Sequence, residues 1–306
     1  MKTTWSWIVL MCFAGPMACL QLDREQEAGS GGANAGGGPT SGTGQEAGSG
    51  GASAGGGSAS GTGGQEAGSG GACADGGSAS GTGPSGEIGH WTMNEGVGPN
   101  IADSSGNGNN GTRSGTEWAT GCSGTGLLFD GVDDFVDLGF AVGADLDGAP
   151  AISLSAWIKV KSLPEPGTTG NTIFQTRINE ASNGFSVLMN GPNYLVIGAR
   201  SIISDKHQAM KFESDVTGGW KHVVAIVDYA QKSMTMYVDG VPQPPLSSPP
   251  TFNASQYSRG DNHTQTDRIG SSPANTEMFN GTIDEVRIYP RALTEEEVNA
   301  LFKAGG

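Results

Sequence analysis

Oxygen-bearing side chains alternate in one glycine-rich stretch of the chain, at Asp103, Ser105, Asn107 and Asn109. Calcium takes about 6–8 oxygen ligands in proteins, and donors at every second position of a loop can wrap around the ion. The stretch is not an EF-hand, because the bidentate glutamate that ends such a loop is missing. The pattern predicts either one structural Ca²⁺ or a tight turn, because turns also favour Asp, Asn and Gly.

A second oxygen-rich turn contains Asp130, Asp133 and Asp134. The same two explanations apply, a calcium site or turn chemistry. Zinc is not expected, because the sequence has no cluster of histidines and cysteines.

The sequence gives little support to catalysis. Its four histidines lie in no Ser/His/Asp motif. His222 stands in a strand-like run, where we expect a buried histidine hydrogen-bonded to a neighbour. We expect Trp91, Trp157 and Trp220 to be buried rather than to stack on sugars. We therefore predict no catalytic residues.

Aromatic and polar residues in predicted loops are the better candidates for ligand contacts. A long polar loop between Pro250 and Asp267 carries several of them. The predicted ligand-binding residues are Trp118, Tyr194, Tyr257, Arg259 and Asn262.

The first residues indicate export. Lys2 precedes a short apolar run, residues 5–14, which is too short to span a bilayer because spanning needs about 20 residues. A small residue, Ala18, precedes Cys19, which is similar to the bacterial lipoprotein signal with Cys19 acylated. We predict a signal peptide over residues 1–19. The chain is then either a lipoprotein of the cell surface or outer membrane, anchored only through its N-terminal lipid, or a freely secreted protein.

Residues 20–86 contain three copies of a unit that begins Gln-Glu-Ala-Gly-Ser-Gly-Gly-Ala, at Gln26, Gln45 and Gln65. No unit has a large apolar residue, so nothing can be buried to offset chain entropy. We predict a disordered, low-complexity Gly/Ser linker. Cys73 replaces the Asn or Ser of the other copies, and with Cys122 it forms either one disulfide bond or two free thiols.

The charge of the chain limits its partners. The formal net charge is −15, and the linker contributes few charges, so most of the acidic excess belongs to residues 87–306. An acidic surface argues against nucleic acid and anionic membranes. It is compatible with cations or neutral glycans, and it also serves solubility.

Strand-like runs separated by turn-rich loops fill residues 87–306 and predict an all-β sandwich. Residues 220–240 read as two antiparallel strands with a tight turn, and residues 152–160 alternate apolar and other residues. A short C-terminal helix follows Thr294, which forms a capping box with Glu297.

Several motifs in order resemble the laminin-G-like jelly roll of the concanavalin A-like lectin/glucanase superfamily. They are His90-Trp91-Thr-Met-Asn-Glu-Gly, the Asp103 to Gly111 loop, Leu127-Leu-Phe-Asp-Gly-Val-Asp-Asp, Ile152-Ser-Leu-Ser-Ala-Trp-Ile, Trp220-Lys-His-Val, Tyr237-Val-Asp-Gly and Gly281-Thr-Ile-Asp-Glu-Val-Arg-Ile-Tyr. The resemblance covers residues 88–303 and implies an antiparallel jelly-roll β-sandwich.

The resemblance also bears on function. Related jelly rolls hold calcium with Asp residues, which adds Asp284 to the expected ligands. The glucanase branch carries catalytic carboxylates on one strand, but here Asp284 and Glu285 lack the flanking Glu residues, and strand alternation predicts that they point to opposite faces. We therefore expect an exported, non-catalytic module that binds a glycan or an extracellular protein. A structural or adhesive domain without a pocket and a glycan-degrading enzyme are the alternatives.

Overall fold

The computed structural model describes Cys73 and residues 83–164, 170–179, 182–191, 193–203, 206–259 and 264–305. The predicted signal peptide, Cys19, most of the predicted linker and Asn262 lie outside these residues. None of the described helices is long and apolar enough to cross a membrane.

Strands dominate the folded part, in chain order β1 (Gly89–Trp91), β2 (Asn100–Ile101), β3 (Gly111–Ser114), β4 (Glu117–Thr120), β5 (Thr125–Asp130), β6 (Phe135–Asp137), β7 (Ala151–Val160), β8 (Thr172–Asn179), β9 (Ser182–Met189), β10 (Tyr194–Ala199), β11 (Gln208–Glu213), β12 (Trp220–Asp228), β13 (Ser233–Val238), β14 (Val241–Pro242), β15 (Arg268–Ile269) and β16 (Asn280–Tyr289). Two helices complete it, α1 (Ala141–Asp145) and α2 (Glu295–Ala304).

The strands form two antiparallel sheets. Sheet A has the order β14-β13-β12-β7-β16-β5-β4, with β1 added beside β16. Sheet B has the order β11-β10-β9-β8-β15-β6-β3-β2. This architecture confirms the predicted all-β sandwich with a C-terminal helix. Helix α1 was not predicted from the sequence, since it is five residues long and has no side-chain cap.

The main core lies between the sheets, where alternate residues of β7 and β12 meet the inner face of sheet B. Ile152, Leu154, Ala156 and Ile158 are all buried there, as their spacing predicts. The 220–240 hairpin is buried on both faces, however. Val223, Ala225 and Val227 face the main core, whereas Val224 and Ile226 lie on the outer face of sheet A.

Helix α2 covers that outer face. Val298 and Leu301 pack against Val224, Ile226 and Tyr289. The predicted capping box is present: Thr294 accepts a hydrogen bond from the Glu297 amide, and the Glu297 side chain accepts one from the Thr294 amide. Gly305 ends the helix with φ 71°, a left-handed conformation that suits glycine.

A disulfide bond joins Cys73 to Cys122 on the side of sheet A that α2 covers, with the two Cα atoms 5.1 Å apart. Cys122 packs against Trp157 and Trp220, and Phe302 of α2 stacks on Trp157 with ring centroids 5.9 Å apart. The bond therefore attaches the middle of the third repeat to the outer face of sheet A.

Candidate functional site

A pocket of about 560 Å³ lies on sheet B, along the pairing of β3 with β6. Thr112 pairs with Asp137, and Ser114 pairs with Phe135. Val136, between Phe135 and Asp137, points into the main core, so these four side chains lie on the outer face of the sheet. Asn110, Arg113, Leu138 and Gly139 complete the lining.

The pocket combines one aromatic ring with groups that bind hydroxyls. The Arg268 guanidinium carbon lies 3.9 Å from the centre of the Phe135 ring, a close cation–π contact. Asp137 accepts a hydrogen bond of 2.8 Å from the Gly139 amide through Oδ1, which orients its carboxylate. Arg113 is held by the carbonyls of Gly98 and Thr116. The side chains that line the pocket are thus fixed by neighbours.

Three carboxylates lie at one end of this pocket. Atoms of Asp130, Asp133 and Asp134 fall within 4.8 Å of one another, the one group of three or more His, Cys, Asp or Glu ligands among the described residues. Asp134 directly precedes Phe135 and contacts Gly115, which follows Ser114. The predicted oxygen-rich turn is therefore next to the pocket.

The electrostatics of this acidic turn fit a cation. Burial raises the pKa of Asp134, repulsion from Asp130, Asp133 and Glu117 raises it further, and a hydrogen bond from the Asp130 amide partly offsets both. A divalent cation would relieve the repulsion, and two of the three carboxylates are exposed to solvent. These residues therefore fit a calcium ion by donor type and spacing.

The Asp103 loop is built differently. The Asp103 carboxylate accepts hydrogen bonds from the amides of His90, Ser105 and Asn109. Burial raises its pKa, but these bonds outweigh burial and the net pKa is lowered. The Asn107 side chain donates to the Ser105 hydroxyl and the Glu87 carbonyl. These contacts match the turn explanation, and a metal role for the loop stays a prediction.

Asp284 and Glu285 depart from the expected alternation. A β-bulge lies between Asp284 and Arg287, and Glu285 has φ 50°. Asp284 accepts hydrogen bonds from the amides of Cys122 and Ser123, and Glu285 contacts His90 at 2.8 Å. Both carboxylates thus reach the outer side of sheet A, so the prediction of opposite faces is wrong.

Both carboxylates are buried beneath other parts of the chain. Asp284 is 0% exposed and Glu285 is 5% exposed. Burial raises the pKa of Asp284 to about 8, and the charge of Glu285 raises it too, against the lowering effect of the backbone hydrogen bonds. Glu285 also forms an ion pair of 3.2 Å with Arg287. Asp284 is not part of the carboxylate group beside the pocket.

The histidine and tryptophans of the strand-like runs are buried, as predicted. His222 is 1% exposed, and its Nε2 lies 2.8 Å from the Ser155 hydroxyl. Trp91 packs in the main core, and Trp157 and Trp220 pack beside Cys122.

The predicted ligand residues do not form one site. Trp118 lines a second pocket of about 370 Å³ with Gly96, Ala119, Thr120, Gly124 and Thr125. Tyr194 is 38% exposed at the start of β10, which lies near the edge of sheet B opposite to β3 and β6. Asn262 lies outside the described residues.

Tyr257 and Arg259 were expected to be accessible to a ligand, but both are buried. Their side chains are 0% and 2% exposed. Their loop folds back onto the sandwich: the Tyr257 amide donates to Ala149, and the Arg259 amide donates to Asp147. Burial raises the pKa of the Tyr257 hydroxyl, which lies 3.2 Å from the Thr176 hydroxyl. The expectation that this loop presents both side chains to a ligand is therefore wrong.

Sequence reasoning missed the residues of the β3–β6 pocket. The sequence predicts a strand over residues 135–138, which include Phe135 and Asp137, but none over residues 111–114, which include Thr112 and Ser114. Alternation in residues 135–138 could have marked Phe135 and Asp137 as facing outward. Their partners on β3 could not be identified without the pairing of the two strands.

Comparisons with known proteins agree with this architecture. The family model described as Laminin_G_3, concanavalin A-like lectin/glucanases superfamily, matches residues 130–299, more than half of the chain. No curated protein matches the chain.

Solved structures share the fold at low sequence identity. The receptor-binding domain of botulinum neurotoxin mosaic serotype C/D matches with a TM-score of 0.51 and 15% identity, over 71% of this chain and 50% of that chain. The binding domain of botulinum neurotoxin DC, in complex with SialylT, has a TM-score of 0.51 and 15% identity, over 72% and 52%. The chain therefore spans about half the length of these structures.

A third structure also matches, domain 4 of AbnA, a GH43 extracellular arabinanase from Geobacillus stearothermophilus, in complex with arabinotriose. The TM-score is 0.44 and the identity 21%, over 71% of this chain and 98% of that chain. The two-sheet architecture and the family model together show that the chain belongs to the concanavalin A-like lectin/glucanase superfamily.

Proposed function

We propose that this protein is an exported, surface-tethered, non-catalytic module that binds a neutral glycan in the β3–β6 pocket. The observation that carries the proposal is the composition of that pocket. Phe135 offers an apolar surface, and Asn110, Thr112, Ser114 and Asp137 offer the amide, hydroxyl and carboxylate groups that bind sugar hydroxyls.

The charge of the chain supports a neutral ligand. A formal net charge of −15 repels polyanions such as nucleic acids and anionic membranes. Neutral sugars carry no charge that this surface would repel. The botulinum neurotoxin relatives in fold are binding domains, which supports binding as the activity without identifying the ligand.

The absence of catalysis is part of the proposal. Asp284 and Glu285, the pair that resembles the glucanase motif, are buried and engaged with backbone amides, His90 and Arg287. Glycoside hydrolysis needs two carboxylates that flank an accessible bond. A polysaccharide hydrolysis panel tests this point, and hydrolysis abolished by Asp284→Asn would contradict it.

We also propose that Asp130, Asp133 and Asp134 hold one structural calcium ion beside the pocket. The spacing of the carboxylates and the raised pKa of Asp134 support it. The ion would fix the turn that leads into Phe135, at the end of the pocket.

A glycan array with the exported chain tests the binding function. Ser114→Arg, at an exposed position of β3, would fill the pocket and is expected to lower binding at least tenfold. Ala209→Arg is the matched control, because it adds the same side chain to an exposed position of β11 on the same face of sheet B. Equal binding by the two variants would contradict a site between β3 and β6.

Removal of residues 20–86 separates this proposal from the structural alternative. We expect glycan binding by the remaining domain to persist, provided that Cys122 is replaced by serine so that no free thiol remains. No glycan binding by the full chain would favour a structural or adhesive domain.

A further inference from the structure

Four side chains on four neighbouring strands form one row through the β3–β6 pocket. Thr112 pairs with Asp137, and both line the pocket. Asn100 pairs with Thr112 on one side, and Arg268 pairs with Asp137 on the other. Paired residues of antiparallel strands lie on the same face, so all four side chains are on the outer face of sheet B. Neighbouring strands lie about 4.8 Å apart, so the row is roughly 14 Å long.

Other parts of the chain cover the continuation of this row across sheet B. The next positions, on β8, β9 and β10, are Gln175, Ser186 and Gly198. Gln175 is 0% exposed and Ser186 is 1% exposed, although both are on the outer face. A Cβ atom at Gly198 would lie 2.8 Å from Nε2 of His207, so the His207 ring lies over this position. The row is therefore open over β6, β3 and β2 and closed over β8, β9 and β10.

Arg268 stands at the boundary between the open and the closed parts of the row. Its guanidinium carbon lies 3.9 Å from the centre of the Phe135 ring, and one of its nitrogens donates 2.6 Å to Oδ1 of Asn275. A planar guanidinium with both contacts is held in one orientation. The open part of the row thus ends at a fixed side chain beside the pocket.

The opposite end of the row is not enclosed by the described residues. β2 is the last strand of sheet B on this side, and Asn100 is exposed there. Thr112, its partner on β3, is also exposed. A molecule in the pocket therefore meets buried chain beyond Arg268, whereas it can extend past Asn100 into solvent.

We infer that the β3–β6 pocket binds the end of a linear neutral glycan, with the terminal sugar beside Arg268 and the rest of the glycan leaving over the edge strand β2. This inference rests on the proposed glycan-binding function and adds a property of the ligand, a free chain end. A site that bound the middle of a glycan across the strands would need an exit on both sides of the pocket. The described residues leave one such exit, at Asn100.

The number of proteins bound per glycan molecule tests the inference. A screen of cello-, xylo-, manno- and arabino-hexasaccharides identifies a series that binds. Soluble linear members of that series, at several lengths, are then titrated with the full exported chain in a calorimeter. Chain-end binding predicts a constant number of proteins per glycan molecule, so the protein bound per gram falls in inverse proportion to glycan length. A number per molecule that rises in proportion to length would overturn the inference.

Two variants on the same outer face test the direction of the glycan. Asn100→Arg places a long side chain at the open end of the row and is expected to lower hexasaccharide affinity at least tenfold. Ala209→Arg is the matched control, because Ala209 is exposed and pairs with Gly198 beyond the closed part. We expect its affinity to equal that of the parent chain. Equal affinities for the two variants would contradict an exit over β2.

Melting temperatures identify any variant that does not fold, and the titration at several glycan lengths needs neither variant. The failure of this inference also differs from the failure of the proposed function. If glycans bind with a number per molecule that rises with length, chain-end binding is wrong and the glycan function stands. If no hexasaccharide of any series binds, the glycan function fails and the inference fails with it.

Discussion

Buried acidic side chains on strand β16 hold the outer face of sheet A together at the scale of single residues. Asp284 accepts hydrogen bonds from three backbone amides, those of Cys122, Ser123 and Glu285. Two of these amides belong to the turn that carries the disulfide bond. The carboxylate therefore ties the β4–β5 hairpin to the central strand β16.

Replacing Asp284 by alanine is expected to lower the free energy of unfolding by about 3 kcal/mol, because buried amides lose their acceptor. Urea denaturation measures the change. Asp215→Ala is the control, because Asp215 is exposed and its hydrogen bonds, within the part of the chain that the structure describes, go to Thr217 in its own turn. We expect this variant to cost less than about 0.5 kcal/mol. Similar costs for the two variants would contradict a central role of Asp284.

His222 makes the free energy of unfolding depend on pH. Burial, and secondly the charge of Arg287, lower its pKa from 6.5 to about 3. The unfolded chain takes up a proton near pH 6.5, whereas the folded chain does not until about pH 3, so stability falls as the pH falls through this window. The slope is at most about 1.4 kcal/mol per pH unit.

Urea unfolding between pH 7 and 4 checks this dependence. His222→Gln keeps a polar partner for Ser155 without the titration, and we expect a shallower loss of stability on acidification. Parallel curves for the variant and the parent chain would show that His222 does not titrate in this way.

The carboxylates beside the pocket predict a response to calcium. Calcium at 100 times its Kd would stabilise the folded chain by about 2.7 kcal/mol, which appears as a higher melting temperature. Asp133→Asn is expected to weaken the effect, and Asp103→Asn should retain it because Asp103 bonds to backbone amides. An unchanged melting temperature in millimolar calcium would rule out the site.

The site residues were predicted only where a short stretch of sequence carries the pattern. Asp130, Asp133 and Asp134 stand within five positions, so their proximity follows from one turn. Trp118 was recognised as a ligand candidate, and it does line a pocket. Tyr257 was misplaced because a polar loop does not reveal that one of its aromatic side chains enters the core.

At the scale of elements, α2 covers the outer face of sheet A and depends on its caps. Thr294→Ala removes the side-chain acceptor of the Glu297 amide, and we expect it to lower the free energy of unfolding by about 1 kcal/mol. Thr294→Ser retains the hydroxyl and should preserve most of the stability. Both are measured by urea denaturation, and a loss of the same size in the serine variant would contradict the capping explanation.

The long strands were predictable, whereas four of the short ones were not. β7, β12, β13 and β16 contain apolar runs whose ends the sequence places within one or two residues. β2, β3, β4 and β14 are two to four residues long and contain mostly polar or exposed positions. Such strands are set by the neighbours they pair with, which no local pattern records. The β3–β6 pocket depends on one of them and was missed for that reason.

At the scale of the whole molecule, the two outer faces have different roles. The outer face of sheet A is covered by α2 and by the disulfide bond to Cys73, where the described part of the third repeat is attached. The outer face of sheet B carries the β3–β6 pocket. The attachment and the proposed binding site are therefore on opposite sides of the sandwich.

The disulfide bond also decides where mechanical tension enters the domain. A pull along the predicted linker would pass from Cys73 directly to Cys122, so the residues between them would carry no load. Those residues include β1, which is held to β16 by three residue pairs and would otherwise be the first strand to peel away. They also include β3, one wall of the pocket. A pull along the predicted linker would thus enter the folded domain at the turn between β4 and β5, and on that side it would bypass β1 and β3.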